Sequence, residues 1–259
     1  MRLAAIVMLA TACGRFDFGA RPSSSDGAVV VAGSDATPPP GDGSGSSGCA
    51  FLLCDGFEAA SLDPVWTPSA SGVSLDATVA RAGRQSLHVH TNALAVTDSA
   101  EAIVTETATF ATPLAMFYVR AFVRTGALPA NNLGVIEADQ ATAAPDGDGV
   151  FITSTGFTLF SQFSEQSMDS MYEPMVDAWT CAVWQVALAT GSTGSEQLGG
   201  DIPATAMTGV ITDGSPAIAQ LELGIEFATS TDTSPQPAFD LWIDDVIVSA
   251  TPVTCFAGD

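Results

Sequence analysis

Phe239-Asp-Leu-Trp-Ile-Asp-Asp-Val-Ile-Val-Ser249 is a run in which apolar Leu241, Ile243 and Ile247 alternate with polar neighbours. That period of two is the mark of a strand with one face buried. Near the other end of the domain, Phe51-Leu-Leu-Cys-Asp-Gly-Phe-Glu58 is also strand-like and also carries carboxylates. Cys49 lies at its outer end, as Cys255 does beyond Ser249. Two such segments predict that the first and last strands pair and that the domain closes as an all-β sandwich.

Working inward, strand-like stretches recur at residues 73–80, 86–91, 101–110, 114–125, 133–139, 150–155, 157–163, 179–188, 202–211 and 217–228. Turn residues separate them at Arg81-Ala-Gly83, Pro129-Ala-Asn-Asn132, Pro145-Asp-Gly-Asp-Gly149, Thr155-Gly156 and Gly191–Gly200. Gln166–Val176 reads as loop or a single helical turn. Many strands at short spacing without a sustained helical period mean a sandwich or barrel of antiparallel sheets.

The 259-residue chain is 47% hydrophobic, enough to bury a sizeable core. Seven basic residues, all arginine, stand against 29 acids, a formal charge of −22. Such a surface cannot gain from counterion release on nucleic acid, and it repels anionic lipid and polyanionic glycans. Neutral glycans, cations or basic surface partners remain, and the chain is expected to be a monomer.

Residues 1–12 read as an export signal: Arg2, the apolar run Leu3–Ala10, then Thr11-Ala12 before Cys13. The run is too short to span a bilayer. Small residues ending at a cysteine resemble the lipobox of bacterial lipoproteins, which makes Cys13 the expected lipidation site. Residues 14–48, rich in Ser, Gly, Pro and Asp, hold too little apolar surface to fold and read as a tether. The expected organisation is signal peptide 1–12, lipidated cysteine and tether 13–48, and β domain 49–259, displayed on the outer membrane or cell surface.

With Cys13 set aside, Cys49, Cys54, Cys181 and Cys255 predict two disulfides. If Glu58 lies opposite Asp245 in an antiparallel pair, Cys49 arrives beside Cys255 and Cys54 is left to Cys181. A register slip of several residues would favour Cys54–Cys255 instead.

Cys54-Asp-Gly-Phe-Glu58, Trp66 and Ala82-Gly-Arg-Gln-Ser-Leu87 together resemble the opening of concanavalin A-like (laminin-G-like) jelly rolls. Met116–Arg124, Trp179–Trp184, Leu221–Phe227 and Leu241–Asp245 resemble their later strands. The resemblance implies a jelly-roll sandwich over residues 49–259, a fold shared with xylan- and cellulose-binding modules. By that likeness Glu58, Asp244 and Asp245 are candidate ligands of a structural calcium ion.

Laminarinase-type hydrolases of the same fold carry Glu-x-Asp-x-Glu on one strand. Leu221-Glu-Leu-Gly-Ile-Glu-Phe227 keeps both glutamates but has Gly224 in the middle. Retaining hydrolysis needs two working carboxylates, so a missing middle acid points to a non-catalytic face. His88-Val-His90 places both histidines on one strand face, short of the third ligand a metal would need. Tyr118 and Arg120 share the outward phase of their strand, as Glu222 and Glu226 do of theirs. These four residues are the expected ligand-binding site.

The leading expectation is a non-catalytic carbohydrate-binding or adhesive module. A polysaccharide hydrolase or lyase of the same fold is the alternative, and a purely structural envelope module the third.

Overall fold

The computed structural model describes residues 49–96, 98–112, 114–140, 147–188, 194–210, 218–227 and 234–255. The signal, Cys13 and the tether lie outside them. Two antiparallel sheets face one another. The first runs β13 (Thr205–Val210), β12 (Gly194–Gly200), β11 (Thr180–Ala187), β6 (Met116–Thr125), β15 (Phe239–Ser249), β4 (Ser86–Thr91) and β3 (Val73–Asp76), with β1 (Leu53–Asp55) also paired to β15. The second runs β10 (Gln166–Asp169), β9 (Gly156–Ser161), β8 (Gly147–Thr153), β7 (Leu133–Gln140), β14 (Ile218–Phe227), β5 (Ala100–Glu106) and β2 (Trp66–Pro68). One 3-10 turn, Thr109–Ala111, is the helix among the described residues.

Alternation decides which side chains meet between the sheets. Phe117, Val119, Ala121 and Val123 of β6 and Leu241 and Ile243 of β15 point in from the first sheet. Leu221, Leu223, Ile225 and Phe227 of β14 answer from the second. Trp184 of β11 is fully buried and meets Phe117 edge to face at 5.9 Å. Each large side chain so buried stabilises the fold by about 1.5–3 kcal/mol.

The first and last strands do pair, but in a register two residues from the expected one: Leu53 faces Val248, Cys54 faces Ile247 and Asp55 faces Val246. The opening motif is tied down by its own aspartate. Asp55 accepts hydrogen bonds from the Phe57 N–H at 2.6 Å and from Trp66 Nε1 at 2.7 Å, and Phe57 is buried.

The phase of β15 also departs from simple alternation. A bulge against β6 between Asp244 and Ile247, with Asp245 at φ 50°, inserts an extra residue. Val246 and Val248 therefore return to the core, while Ile247 lies on the outer face beside Tyr118 and Val253. Expected as a turn, residues 194–200 form β12 instead, a strand of small residues whose Leu198 is fully buried. Residues 166–169 form the edge strand β10 rather than loop or helical turn.

Both expected disulfides are corrected. Cys49 is bonded to Cys54 and Cys181 to Cys255, each pair with Cα atoms 6.0 Å apart. The regular pairing of β1 with β15 covers three residues only. Cys49 is then brought back on its own strand, where its sulfur accepts the Phe51 N–H at 3.3 Å. After Ser249 the chain crosses the outer face of the first sheet, and Cys255 lands beside Cys181 and Phe122.

Closing 74 residues of chain, the Cys181–Cys255 bond is expected to contribute about 4 kcal/mol by loop entropy, against about 2 kcal/mol for the five-residue Cys49–Cys54 loop. Denaturant unfolding of Cys181→Ser/Cys255→Ser and Cys49→Ser/Cys54→Ser proteins should therefore show roughly a twofold difference in the loss. Equal losses, or a larger one from the short loop, would contradict this arrangement.

Candidate functional site

On the outer face of the second sheet, acids crowd onto three neighbouring central strands. Glu222 of β14 sits between Glu137 of β7 and Thr105 of β5, and Glu226 sits opposite Glu101 of β5. Asp139 of β7 is the cross-strand neighbour of Gln220. Glu222 and Glu226 are partly exposed, whereas Glu137 and Asp139 are buried. Gln220 Nε2 donates to Glu222 Oε1 at 2.8 Å. Asp139 lies so close over Gly147 that a methyl group there would overlap its carboxylate.

Burial and mutual repulsion raise the pKa values of this cluster. Burial pushes Glu222 up to about 8, with the charges of Asp139, Glu226 and Glu101 adding to it. Asp139 is raised to about 7, first by burial and then by Glu226. Glu137 is driven well above the usual carboxylate range by burial, by the neighbouring charges of Glu226 and Asp139, and by a hydrogen bond with Glu226. Like charges this close cannot all ionise, so the cluster holds protons at neutral pH. Two half-exposed glutamates above a protonated floor can donate and accept a proton on a bound ligand.

The four residues expected to form one site are divided between the two sheets. Glu222 and Glu226 lie on the outer face of the second sheet. Tyr118 and Arg120, on β6, belong to the outer face of the first, with the whole core between the two pairs. Equal outward phase cannot say which sheet a strand joins. Neither of the β6 residues is open: Tyr118 packs on Ile247 and Val253. Arg120 is 3% exposed, and its guanidinium donates to the carbonyls of Asp245 and Thr254 at 3.4 Å. The acids the sequence reading passed over are Glu137 and Asp139. Their signal was Ile136-Glu-Ala-Asp139, where inward Ile136 and Ala138 alternate with the two acids.

His88 Nε2 and His90 Nδ1 both turn to Asp240 Oδ1, at 2.9 and 2.8 Å. His88 also stacks on Trp242. The candidate calcium ligands approach the 81–85 loop. Both Glu58 oxygens accept the Arg84 N–H, Asp244 accepts the N–H groups of Arg81 and Asp245, and Asp245 pairs with the Arg81 guanidinium. Oxygens that a calcium ion would need thus face N–H donors, so these residues do not fit the ion as arranged. Among the described residues no group of three or more His, Cys, Asp or Glu is gathered to hold a metal.

No protein-family model matches the chain, and no curated protein matches it. Solved structures do. The chain is similar to the cellulose-induced protein Cip1 at 24% identity and a TM-score of 0.56, over 78% of this chain and 99% of that one. It is similar to an endo-β-1,4-glucuronan lyase from Trichoderma reesei at 15% identity and a TM-score of 0.60, over 78% of this chain and 96% of that one. A marine alginate lyase from Aplysia kurodai follows at 7% identity and a TM-score of 0.54, over 70% and 87%. At these identities the likeness shows the fold, a jelly-roll sandwich. It also overturns the leaning towards a non-catalytic module, because two of these three neighbours are named as polysaccharide lyases. In place of a middle acid on β14, the face carries Glu137 and Asp139 from the neighbouring β7.

An acid whose pKa is higher in the folded than in the unfolded protein stabilises the fold fully below its unfolded value and ceases to as pH climbs through its folded value. Glu222, ordinarily at 4.5 and here at about 8, and Asp139, ordinarily at 3.8 and here at about 7, set the window. The unfolding free energy from urea titrations is expected to fall steadily between pH 5 and 8, roughly the interval those values span. Glu222→Gln should flatten the upper part of the curve. A stability that rises over this interval would refute the burial of these acids.

Proposed function

We propose that this protein cleaves a neutral polysaccharide by acid–base hydrolysis on the outer face of its second sheet. The observation that carries this is the pairing of half-exposed Glu222 and Glu226 on one strand above buried Glu137 and Asp139. At neutral pH Glu222 keeps its proton and can deliver it to a glycosidic oxygen. Glu226, hydrogen-bonded to Glu137, is placed to act as the second carboxylate, on water or on the sugar. Phe151 and Phe160, outward on β8 and β9 with ring centroids 5.5 Å apart, extend the face with an apolar wall suited to a sugar ring.

Hydrolysis is favoured over the elimination chemistry in the names of the structural neighbours. A lyase acting on uronates must neutralise a substrate carboxylate with a basic group. Here every described arginine and both histidines contact the first sheet or the Glu58 loop. Five acids stand on the face instead, and among the described residues no arginine or histidine joins them to meet a uronate carboxylate.

We further propose display at the bacterial envelope through lipid on Cys13 and the 14–48 tether. This rests on the lipobox-like end of the apolar run and the composition of the tether.

Release of reducing ends from neutral β-glucans and xylans by the intact β domain tests the reading. Glu222→Gln should lower kcat on the order of a hundredfold or more, with the fold intact by circular dichroism. Release of an unsaturated uronate from glucuronan or alginate, or full activity in Glu222→Gln, would defeat it.

A further inference from the structure

A second carboxyl pair lies inside the sandwich, apart from the face just described. Asp148 of β8 and Glu196 of β12 point inward from opposite sheets, 2% and 1% exposed. Trp184 Nε1 donates to Glu196 Oε2 at 3.2 Å. Asp148, Glu196 and the Ser161 hydroxyl of β9 are neighbours, yet both Asp148 oxygens, Glu196 Oε1 and Ser161 Oγ are buried without a well-formed partner.

Every element packed around the pair is poor in charge. β9 brings Ser161, β11 brings Trp184 and β13 brings Met207 opposite Glu196; β7 brings Asp139, which points to the other side of the sheet. Among the described residues no cation reaches the pair. Two ionised carboxylates in a dry core without a counter-ion are far costlier than one carboxyl donating to one carboxylate.

We infer that Asp148 and Glu196 share a single proton across the gap between the sheets, and that its loss frees the β12–β13 hairpin from β8 and β9. The hairpin is at the edge of its sheet and reaches the second sheet chiefly at β9 and β10. It can therefore open locally, at the cost of exposing Leu198 and Met207 while the rest of the core stays packed. Burial raises both pKa values, that of Asp148 to about 6 and that of Glu196 well beyond the usual range. The pair thus holds its proton above the usual carboxylate range, and the link is strongest in acid.

Amide hydrogen exchange of the whole domain between pH 5 and 8.5 reads this, after correction for the intrinsic pH dependence of exchange. In the wild type the opening constant of amides in 194–200 and 205–210 should rise towards about tenfold per pH unit once the proton is being lost. Asp148→Asn and Glu196→Gln each remove one charge while keeping the shape of the protonated acid. Both should remove that rise and protect the hairpin better than wild type at pH 8.5. If one variant fails to fold, the other still reads the slope. Equal slopes in wild type and variant would overturn the inference. So would protection in the wild type at pH 8.5 that is lost in EDTA and restored by Ca²⁺, since a cation would then occupy the proton's place.

Discussion

Because two sheets bury one face each against a common core, most charged side chains on the central strands go to the outer face of their own sheet, with Asp148 and Glu196 as inward exceptions. This constraint sorts the charges of the protein. β6 and β15 carry Arg120, Arg124, Asp240 and Asp244 to one outside, and β7 and β14 carry Glu137, Asp139, Glu222 and Glu226 to the other. Arginines that would neutralise the acids are held across the whole thickness of the core, so the acids keep their protons instead.

Much of the architecture was legible from alternation and turns. The pairing of the terminal strands, the inward set on β6 and the acid–apolar alternation of β14 follow from period-2 burial, which acts within each strand. Sheet membership does not. Whether β6 lies beside β14 or across the core from it depends on connections hundreds of atoms long, and Tyr118 and Arg120 were misassigned for that reason. The bulge at Asp244–Asp245 was likewise hidden: it shifts the phase of β15, takes Ile247 out of the core and changes where Cys255 is delivered. β12 escaped notice because glycine and serine obscure the pattern, although Glu196 and Leu198 lie two apart and both point inward.

The first sheet's outer face is largely covered by the chain's own ends. Phe51 and Cys54 pack with Tyr118, Ile247 and Val253, and the stretch that reaches Cys255 lies over Arg120. On the second sheet, by contrast, Glu222 and Glu226 remain partly exposed.

Gly224 shows how that face is shaped. Read from sequence, it is an acid lost from a three-acid strand. In the structure it stands at φ 148°, a conformation side-chain-bearing residues rarely adopt, and a methyl group there would run into the Ala102 carbonyl. β14 keeps an unbroken register with β5, yet its register with β7 shifts between Leu223 and Glu226. Four steps from Glu222 to Glu226 on β14 therefore oppose three from Glu137 to Gly134 on β7. The extra residue draws Glu226 back towards Glu137, with which it shares a hydrogen bond, while Glu222 keeps Glu137 as its direct neighbour. An aspartate at position 224 would be strained at that φ and would crowd the β5 backbone at Ala102 and Ile103. Glycine brings both onto one buried acid, and that convergence, rather than a third carboxyl in sequence, makes the cluster a candidate for proton transfer.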